Sequence, residues 1–339
     1  MVNGVAHVDE KRGDEFDLIA SVFAPLAKDS GALGLRDDAA VLRPPEGHEL
    51  LVSCDAINEG EHFLKDDPAD SIGHKALAVT LSDLAAKGAR PYAYLLSLSL
   101  PRDISPDWLK GLAAGLDALQ TEAGVALVGG DTTASQGGIS IVVTGLGLVP
   151  QGHAVLRLGA KPGDRLYVSG TIGDAHLGLR LLQDPTLAET WGLSGEDVVF
   201  LVERYRRPSP RFDLALLVQN FAQASIDVSD GLVGDIDKLC QVSHVGTTLM
   251  TQNIPFSPAA RKALACEPGL LPSLITAGDD YELVAAVPER CVAAFEAEVE
   301  AKQLRFASIA EVGGGDLQVR VLDAKGEKLA LSHRGFSHF

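Results

Sequence analysis

Apolar positions along the chain fall into two kinds of pattern. Short apolar runs bounded by glycines and acids, such as 50–55 and 139–149, predict buried strands. Residues 70–89 and 105–123 instead place apolar side chains at helical spacing, and the two helices are expected to end near Gly88 and at Gly124. Because helices and strands alternate throughout, the sequence predicts an α/β (α+β) fold.

The length of 339 residues favours two domains rather than one core. Segment 150–162 is rich in proline and glycine, and we place the boundary there. The prediction is a flexible extension over 1–13, an N-terminal domain over 14–150 and a C-terminal domain over 151–339. A short helix is expected to begin near Glu15, and a strand is expected after Asp37 and Asp38.

Acidic residues recur at the ends of predicted strands or on a packed helix face. The central example is Ala224–Asp235, where a short strand leads to Asp227, Ser229 and Asp230 before Gly231. Buried carboxylates repel one another unless a cation lies between them. Oxygen ligands of this kind suit Mg²⁺, particularly when phosphates complete the coordination. The acids in question are Asp38, Asp55, Asp83, Asp131, Asp227 and Asp230.

Each of these signals also has a simpler interpretation. Asp37 and Asp38 could form an ordinary turn, and Asp83 could pair with Lys75 or Arg90. The strand, glycine turn and helix over 164–182 could direct backbone N–H groups at an anion, but many such turns bind nothing. The basic segment 204–211 is interpreted as a solvated connection, and Asp235 as a surface acid on the helix that follows Asp230.

Composition and the lengths of the apolar runs argue against several classes of protein. The net charge of −17 argues against a nucleic-acid surface. The four cysteines form no CxxC pair, which argues against a zinc site or a disulfide framework. The apolar runs are shorter than the roughly 18 residues that a membrane span needs, and residues 1–13 lack the core of a signal peptide. These features predict a soluble cytoplasmic protein with no nucleic-acid or membrane partner.

If the chain transfers a phosphoryl group, it uses neither the P-loop route nor the protein-kinase route. The chain has no GxxxxGK[ST] loop and no HRD or DFG set. Metal-bound carboxylates would be sufficient for such a transfer, because it requires mainly that the phosphates are positioned and their charge neutralised.

Several motifs together resemble the thiamine-monophosphate kinase family, which shares a superfamily with aminoimidazole ribonucleotide synthetase and selenophosphate synthetase. The resemblance runs from about Glu15 to Phe339, and the motifs occur in the same order. They are Asp37–Val41, Asp55 with Glu59–Phe63, Lys75–Ala86, Gly129–Thr132, Arg207–Arg211, Ile226–Leu232, Gly278–Leu283 and Gly335–Phe339.

The resemblance implies a two-domain aminoimidazole ribonucleotide synthetase-like fold, with an N-terminal mixed sheet or half-barrel and a C-terminal α/β sandwich. It also implies ATP-dependent phosphorylation of thiamine monophosphate to thiamine diphosphate, with several Mg²⁺ ions, in a homodimer formed through the N-terminal domains. No general base is expected, because the phosphate nucleophile is already ionised and in-line transfer can be direct.

The resemblance also implies roles for individual residues. The ATP contacts would be Gly130, Asp131, Arg157 and Ser229. The substrate contacts would be His62, Asp279 and Phe336. The metal ligands would be Asp38, Ser53, Cys54 through its carbonyl, Asp55, Asp83, Asp131, Asp227 and Asp230.

Three positions depart from the family pattern, and two other classes of function stay open. Arg36 replaces a glycine, Lys87 replaces a methionine, and Asp279 replaces a glutamate that is one methylene longer. The alternatives are another ATP-dependent enzyme of the same superfamily and a non-catalytic binder of thiamine phosphate or nucleotide. A selenophosphate synthetase would need a reactive cysteine near the N-terminus, whereas the first cysteine here is Cys54.

Overall fold

The computed structural model describes residues 18–314 and 317–337. The expected extension over 1–13 and the expected helix start at Glu15 lie outside those residues. The described chain opens with a π-helical turn, Ile19–Phe23, followed by 3₁₀ turns at Ala24–Leu26 and Ser30–Leu35.

A four-stranded sheet forms the first half of the molecule. Its strands are β1 (His48–Asn58), β2 (Arg90–Pro101), β3 (Leu127–Ser135) and β4 (Ser140–Pro150). They lie in the order β1-β4-β2-β3, and all pairs are antiparallel except β2 with β3. Two helices, α1 (Ala69–Ala86) and α2 (Pro106–Ala123), form a core with this sheet.

A six-stranded sheet forms the second half, in the order β10-β7-β9-β5-β8-β6. Its strands are β5 (Arg165–Ser169), β6 (Ala224–Asp227), β7 (Gly246–Met250), β8 (Leu283–Val287), β9 (Phe306–Gly313) and β10 (Val319–Leu322). Its helices are α3 (Asp174–Gln183), α4 (Leu187–Thr190), α5 (Gly195–Arg206), α6 (Ala215–Phe221), α7 (Leu232–Ser243), α8 (Pro258–Cys266), α9 (Leu271–Thr276) and α10 (Glu289–Ala301). Short 3₁₀ turns lie at Phe212–Leu214, Thr251–Asn253 and Pro268–Leu270.

Helices α1 and α2 approach each other closely because glycines lie at their contact. A Cβ added at Gly73 would lie 2.1 Å from the carbonyl oxygen of Leu112, and one added at Gly115 would lie 1.8 Å from that of Asp70. Helix α2 also has clear ends, since the Ser105 side chain accepts from the N–H of Trp108, and Gly124 adopts φ +65°.

Helix α1 is buried over almost its whole length and belongs to both halves. Its apolar residues contribute to the core under the first sheet, while Ala85 and Ala86 cluster with Leu214, Val218 and Leu283 of the second half. A helix covered on all sides requires apolar residues around its circumference. The packed face on which Asp83 was predicted to lie is thus one part of a helix that is buried on nearly all sides.

The basic segment 204–211, which begins in the last turn of α5, joins the two halves. Arg206 pairs with Asp67 at 2.7 Å and Arg207 with Asp70 at 2.6 Å, and both acids belong to the first half. Arg204 and Arg211 pair with the buried Glu282 at 3.0 and 2.8 Å. The interpretation of 204–211 as a solvated connection was wrong, because Arg204, Arg206 and Arg211 compensate the buried carboxylates of Glu282 and Asp67.

Two local expectations near the N-terminus can be compared with the structure. Residues 36–47 form no strand, so the strand expected after Asp38 was wrong. Arg36 has φ −109°, which any residue can adopt, so the glycine of the family pattern is not required there. Helices long and apolar enough to span a membrane are absent from the described residues.

Candidate active site

A cavity of about 950 Å³ lies between the two halves of the molecule. Its walls come from β1, α1, the turn after β6, the segment before β8 and the end of the described chain. Most of the predicted site residues line it: Cys54, Asp55, His62, Asp83, Arg157, Asp227, Ser229, Asp230, Asp279 and Phe336.

An acidic cluster, defined as Ser53, Asp55, Asp83 and Asp227, forms where β1, α1 and β6 meet. The Ser53 hydroxyl makes a short hydrogen bond to Asp83 Oδ2 and a long one, 3.5 Å, to Asp55 Oδ2. Ser53 does not line the cavity itself but holds acids that do. Asp83 pairs with neither Lys75 nor Arg90 in the described chain, so the ion pairs considered from sequence are not formed.

The acidic cluster favours bound protons or cations. Burial raises the pKa of Asp55 to about 6, and the charge of Asp83 adds to the increase. Burial also raises the pKa of Asp227 well above its usual range, and the charge of Asp83 again adds to this increase. Lys87 is the nearby cation, and its Nζ donates to the carbonyl oxygen of Ser225 at 2.8 Å. Burial lowers the pKa of Lys87, so the charged form of this lysine is also disfavoured.

The turn after β6 places Asp230 beside a lysine. Lys238 of α7 makes a short contact with Asp230 and a 2.7 Å ion pair with Asp235. Asp235 is 1% exposed, and its Oδ2 accepts from the backbone N–H groups of Asp230 and Gly231 at 2.9 and 3.1 Å. The prediction that Asp235 is a surface acid was wrong, because this side chain holds the turn that presents Asp230.

Three aromatic side chains and one carboxylate lie on another part of the cavity wall. We call this group the aromatic cluster, and its members are His62, Tyr205, Tyr281 and Asp279. The Tyr205 hydroxyl donates to the carbonyl oxygen of His62 at 3.4 Å, and the Tyr281 hydroxyl donates to Asp279 Oδ1 at 3.2 Å. The N–H of Asn58 donates to His62 Nδ1 at 3.1 Å, which makes that nitrogen an acceptor. The cluster combines flat apolar surface with oriented polar atoms.

The backbone around Asp279 is locked to the turn that carries Asp230. The N–H of Asp279 donates to Ser229 O at 2.9 Å, and the N–H of Tyr281 donates to Val228 O at 2.8 Å. A Cβ at Gly278 would lie 2.1 Å from Ser229 O, so only glycine allows this approach. The N–H of Phe336 donates to Asp230 O at 2.8 Å, which brings the C-terminal segment to the same turn.

Four predicted site residues do not line the cavity: Asp38, Ser53, Gly130 and Asp131. Asp38 and Asp131 are exposed. Gly130 is required by packing within the sheet, since a Cβ there would lie 1.8 Å from Leu96 O. The described chain thus brings only part of the predicted ligand set together.

The N-terminus of α3 is filled by an internal carboxylate. Asp280 is fully buried and its Oδ2 accepts from the N–H of Gly173 at 2.7 Å. Asp174 in the first turn accepts from the hydroxyls of Thr171 and Ser257, each at 2.5 Å. An external anion would have to displace Asp280, so this turn is structural.

The donors of the acidic cluster match a hard cation in kind. Carboxylate and hydroxyl oxygens are the ligands that Mg²⁺ prefers, and it commonly uses one or two carboxylates together with water and phosphate. Within residues 18–314 and 317–337, no three His, Cys, Asp or Glu side chains are gathered closely enough to hold an ion alone. The residues therefore fit Mg²⁺ by chemistry, with further ligands needed from phosphate or water.

Sequence reasoning missed several residues of the cavity wall. Lys238 follows Asp235 by three positions on α7, a spacing that could have indicated their ion pair. Tyr205 lies within the basic segment that was interpreted as a connection, and His176 lies on α3. Burial lowers the pKa of His176 to about 4, and its Nε2 has no hydrogen-bond partner among the described residues.

Known proteins resemble this chain in sequence. Residues 36–149 match the family described as AIR synthase related protein, N-terminal domain. Thiamine-monophosphate kinase of Caulobacter vibrioides is 39% identical over 306 residues, which cover 89% of this chain and 85% of that protein. The corresponding protein of Escherichia coli K12 is 37% identical over 328 residues, covering 96% of this chain and 98% of that one.

Solved structures extend the likeness to the fold. The crystal structure of thiamine-monophosphate kinase from Stenotrophomonas maltophilia K279a superposes with a TM-score of 0.80 at 38% identity, covering 90% of this chain and 94% of that one. AaThiL complexed with AMPPCP and TMP gives a TM-score of 0.74 at 29% identity, with 96% and 94% covered. The predicted fold class is confirmed. The chain is an enzyme that belongs to the thiamine-monophosphate kinase family.

Proposed function

We propose that the chain transfers the γ-phosphoryl group of ATP to thiamine monophosphate, forming thiamine diphosphate and ADP. The transfer is direct and in line, assisted by Mg²⁺, in a homodimer. Relatives named thiamine-monophosphate kinase and the related complex with AMPPCP and TMP support the substrates. The predicted domain boundary and cytoplasmic location stay predictions.

One observation carries the proposal: the same cavity is lined by the three acids of the acidic cluster and by the aromatic cluster. Thiamine monophosphate has a phosphate at one end and two flat heterocycles at the other. The cavity offers a metal-binding wall for the first and an aromatic wall for the second. Tyr281 connects the two, since the charges of Asp279, Asp227 and Asp55 all act on its hydroxyl.

Asp55, Asp83, Asp227 and Asp230 would hold Mg²⁺ together with phosphate oxygens. When bound, the ions neutralise charge on the two phosphates and hold them in line. The chain itself supplies the orientation: Ser82 donates to Asp227 Oδ2 at 2.7 Å, and Ser53 binds Asp83. Lys238 would have to share or release Asp230 when a cation arrives, and Asp235 remains to pair with it.

Arg157, Lys238 and Ser229 are suited to binding the nucleotide phosphates. All three line the cavity, and they supply two cationic groups and a hydroxyl donor. Ser229 belongs to the turn fixed by Asp235 and by the loop before β8. The acceptor phosphate of thiamine monophosphate is already ionised, so the chain needs no side chain to remove a proton from it.

The uncovered face of the first sheet supports the homodimer. Leu50 and Val52 of β1 are 44% and 63% exposed, and they alternate with residues that face α1. Leu95 of β2 pairs with Thr144, which pairs with Cys54, so these side chains share the uncovered face. Asp131 pairs with Ser97 on the same face. A second copy of the chain is the proposed cover, and its arrival would bury this apolar surface.

The proposal is tested by measuring ADP release with Mg²⁺ and ATP when different acceptors are offered separately. Thiamine monophosphate should support turnover, whereas free thiamine and aminoimidazole precursors should not. Turnover with thiamine but none with its monophosphate would overturn the substrate assignment. ATP and thiamine monophosphate binding without any turnover would favour a non-catalytic binder.

A further inference from the structure

Lys75 is a buried cation in the middle of α1. The residue is 1% exposed, although a lysine is rarely buried without a partner. Moving an ammonium group from water into the protein interior costs several kcal/mol of free energy, unless nearby groups offset this penalty. The position therefore requires a specific electrostatic partner.

The partner lies 204 residues further along the chain. Lys75 Nζ is 2.8 Å from Asp279 Oδ2, and it lies 3.9 Å from the centre of the Tyr205 ring. A carboxylate and an aromatic face together satisfy an ammonium group well. Since Asp279 and Tyr205 both line the cavity, the buried lysine lies directly behind the aromatic cluster.

Asp279 is held in an unusual conformation by this contact and its neighbours. Its φ is +74° and that of Tyr281 is +49°, both in the left-handed region that non-glycine residues rarely adopt. The Tyr281 hydroxyl donates to Oδ1 while Lys75 donates to Oδ2. Each carboxylate oxygen thus has one protein donor, and the side chain is still 25% exposed. The remaining lone pairs can accept from a ligand in the cavity.

The ion pair also determines the net charge that the substrate meets at Asp279. The ion pair makes Lys75 and Asp279 neutral together, so the carboxylate does not act as a free anion toward the cationic thiazolium ring. What it offers is a hydrogen-bond acceptor with a fixed direction. The aminopyrimidine of thiamine carries N–H donors, which match that acceptor.

We propose that Lys75 is a positioning residue that fixes the Asp279 carboxylate as the acceptor for the thiamine end of the substrate. The inference rests on the proposed function. Lys75 and Asp83 lie eight residues apart on α1, which is about 12 Å along the axis at 1.5 Å per residue. One rigid helix therefore sets the spacing between the acceptor for the heterocycle and the carboxylate for the phosphate.

Lys75→Met tests the assignment, because methionine retains the length of the side chain without its charge. The KM for thiamine monophosphate should rise about tenfold or more, equivalent to 1.4 kcal/mol, while the KM for ATP stays within about twofold. Lys75→Arg keeps the positive charge and should recover part of the loss. Tyr281→Phe removes only the second donor to Asp279 and should raise the same KM by a smaller factor.

Arg206→Met is the matched control. Arg206 also joins the two halves through a buried carboxylate, Asp67, but neither residue lines the cavity. This variant should unfold at a lower urea concentration than the wild type. Its KM values for thiamine monophosphate and ATP should be unchanged. If Lys75→Met behaves in the same way, or raises both KM values equally, Lys75 is only structural and the assignment is overturned.

The variants also separate this inference from the proposed function. A wild-type enzyme that shows no turnover with thiamine monophosphate would overturn both. Normal wild-type turnover, with an unchanged KM for thiamine monophosphate in Lys75→Met, would overturn the role of Lys75 alone. If Lys75→Met fails to fold, the other two variants replace it. An unchanged KM for thiamine monophosphate in both Lys75→Arg and Tyr281→Phe would then overturn the role of Lys75 alone.

Discussion

The Ser82 hydroxyl donates a 2.7 Å hydrogen bond to Oδ2 of Asp227, and this contact joins α1 to the end of β6. Asp227 is 4% exposed and is repelled by Asp83, so its carboxylate has few ways to keep a negative charge. The hydrogen bond favours the ionised form, which is the form that binds a cation. Ser82 therefore contributes to the proposed metal site without lining it.

Ser82→Ala should raise the Mg²⁺ concentration needed for half-maximal turnover, because Asp227 would bind its proton more tightly. It should also cost about 1–3 kcal/mol of stability, since a buried acceptor loses its donor. Ser71→Ala is the control: that hydroxyl is equally buried on α1 but donates to Pro68 O at 2.7 Å. Mg²⁺ titrations of activity and urea unfolding measure both effects. An equal Mg²⁺ requirement in the two variants would contradict the role given to Ser82.

Asp230→Asn should lower kcat by about 100-fold or more, by the scale seen when one electrostatic group is removed from an active site. The urea midpoint should change little, because the Asp230 side chain is 35% exposed and its backbone contacts remain. Asp107→Asn removes a carboxylate that is 92% exposed and should have no effect. Activity like that of the wild type in Asp230→Asn would remove this residue from the metal site.

His176 should make the protein less stable in mild acid. Burial, followed by the charges of Arg180 and His333, lowers its pKa to about 4, while Asp279 acts in the opposite direction. The unfolded chain has the ordinary pKa near 6.5 and binds more protons between pH 4 and pH 6.5. Stability therefore rises with pH across that window and is lost as the pH falls through it.

His176→Gln should make this pH dependence shallower, by at most about 1.4 kcal/mol per pH unit. Urea unfolding at several values between pH 5 and pH 7.5 measures the slope. His153→Gln removes an exposed imidazole and serves as the control. Identical slopes in His176→Gln and the wild type would show that His176 does not contribute to the acid sensitivity.

Val52→Glu tests the proposed homodimer. A carboxylate on the uncovered sheet face would be buried without a partner if a second copy packs there, so the variant should be monomeric. Val199→Glu is a close control, because Val199 on α5 is also 63% exposed but lies away from that face. Light scattering coupled to size exclusion reports the mass. A dimeric Val52→Glu protein would place the interface elsewhere.

Asp227 was predictable as a strand-end acid because it closes the fully buried run Ala224–Asp227. The prediction of a buried strand that ends at Asp55 was wrong, because β1 continues to Asn58 and alternates between exposed and partly buried residues. The structure nevertheless brings both acids to one cavity. The Lys75–Asp279 pair was not predictable, since helical spacing states which residues share a face but not what that face meets. The same limit explains Asp235 and Arg206, whose polar side chains looked solvated until their partners were known.

Helix α1 also determines how the enzyme can move. Its residues belong to the core of the first sheet and to the cluster with Leu214 and Leu283, so swinging one half away from the other would pull the helix out of one of them. Opening the two halves in this way would expose buried apolar side chains to water, which disfavours it. We therefore expect substrates to exchange without separation of the halves, and the two sheets to melt in one cooperative transition.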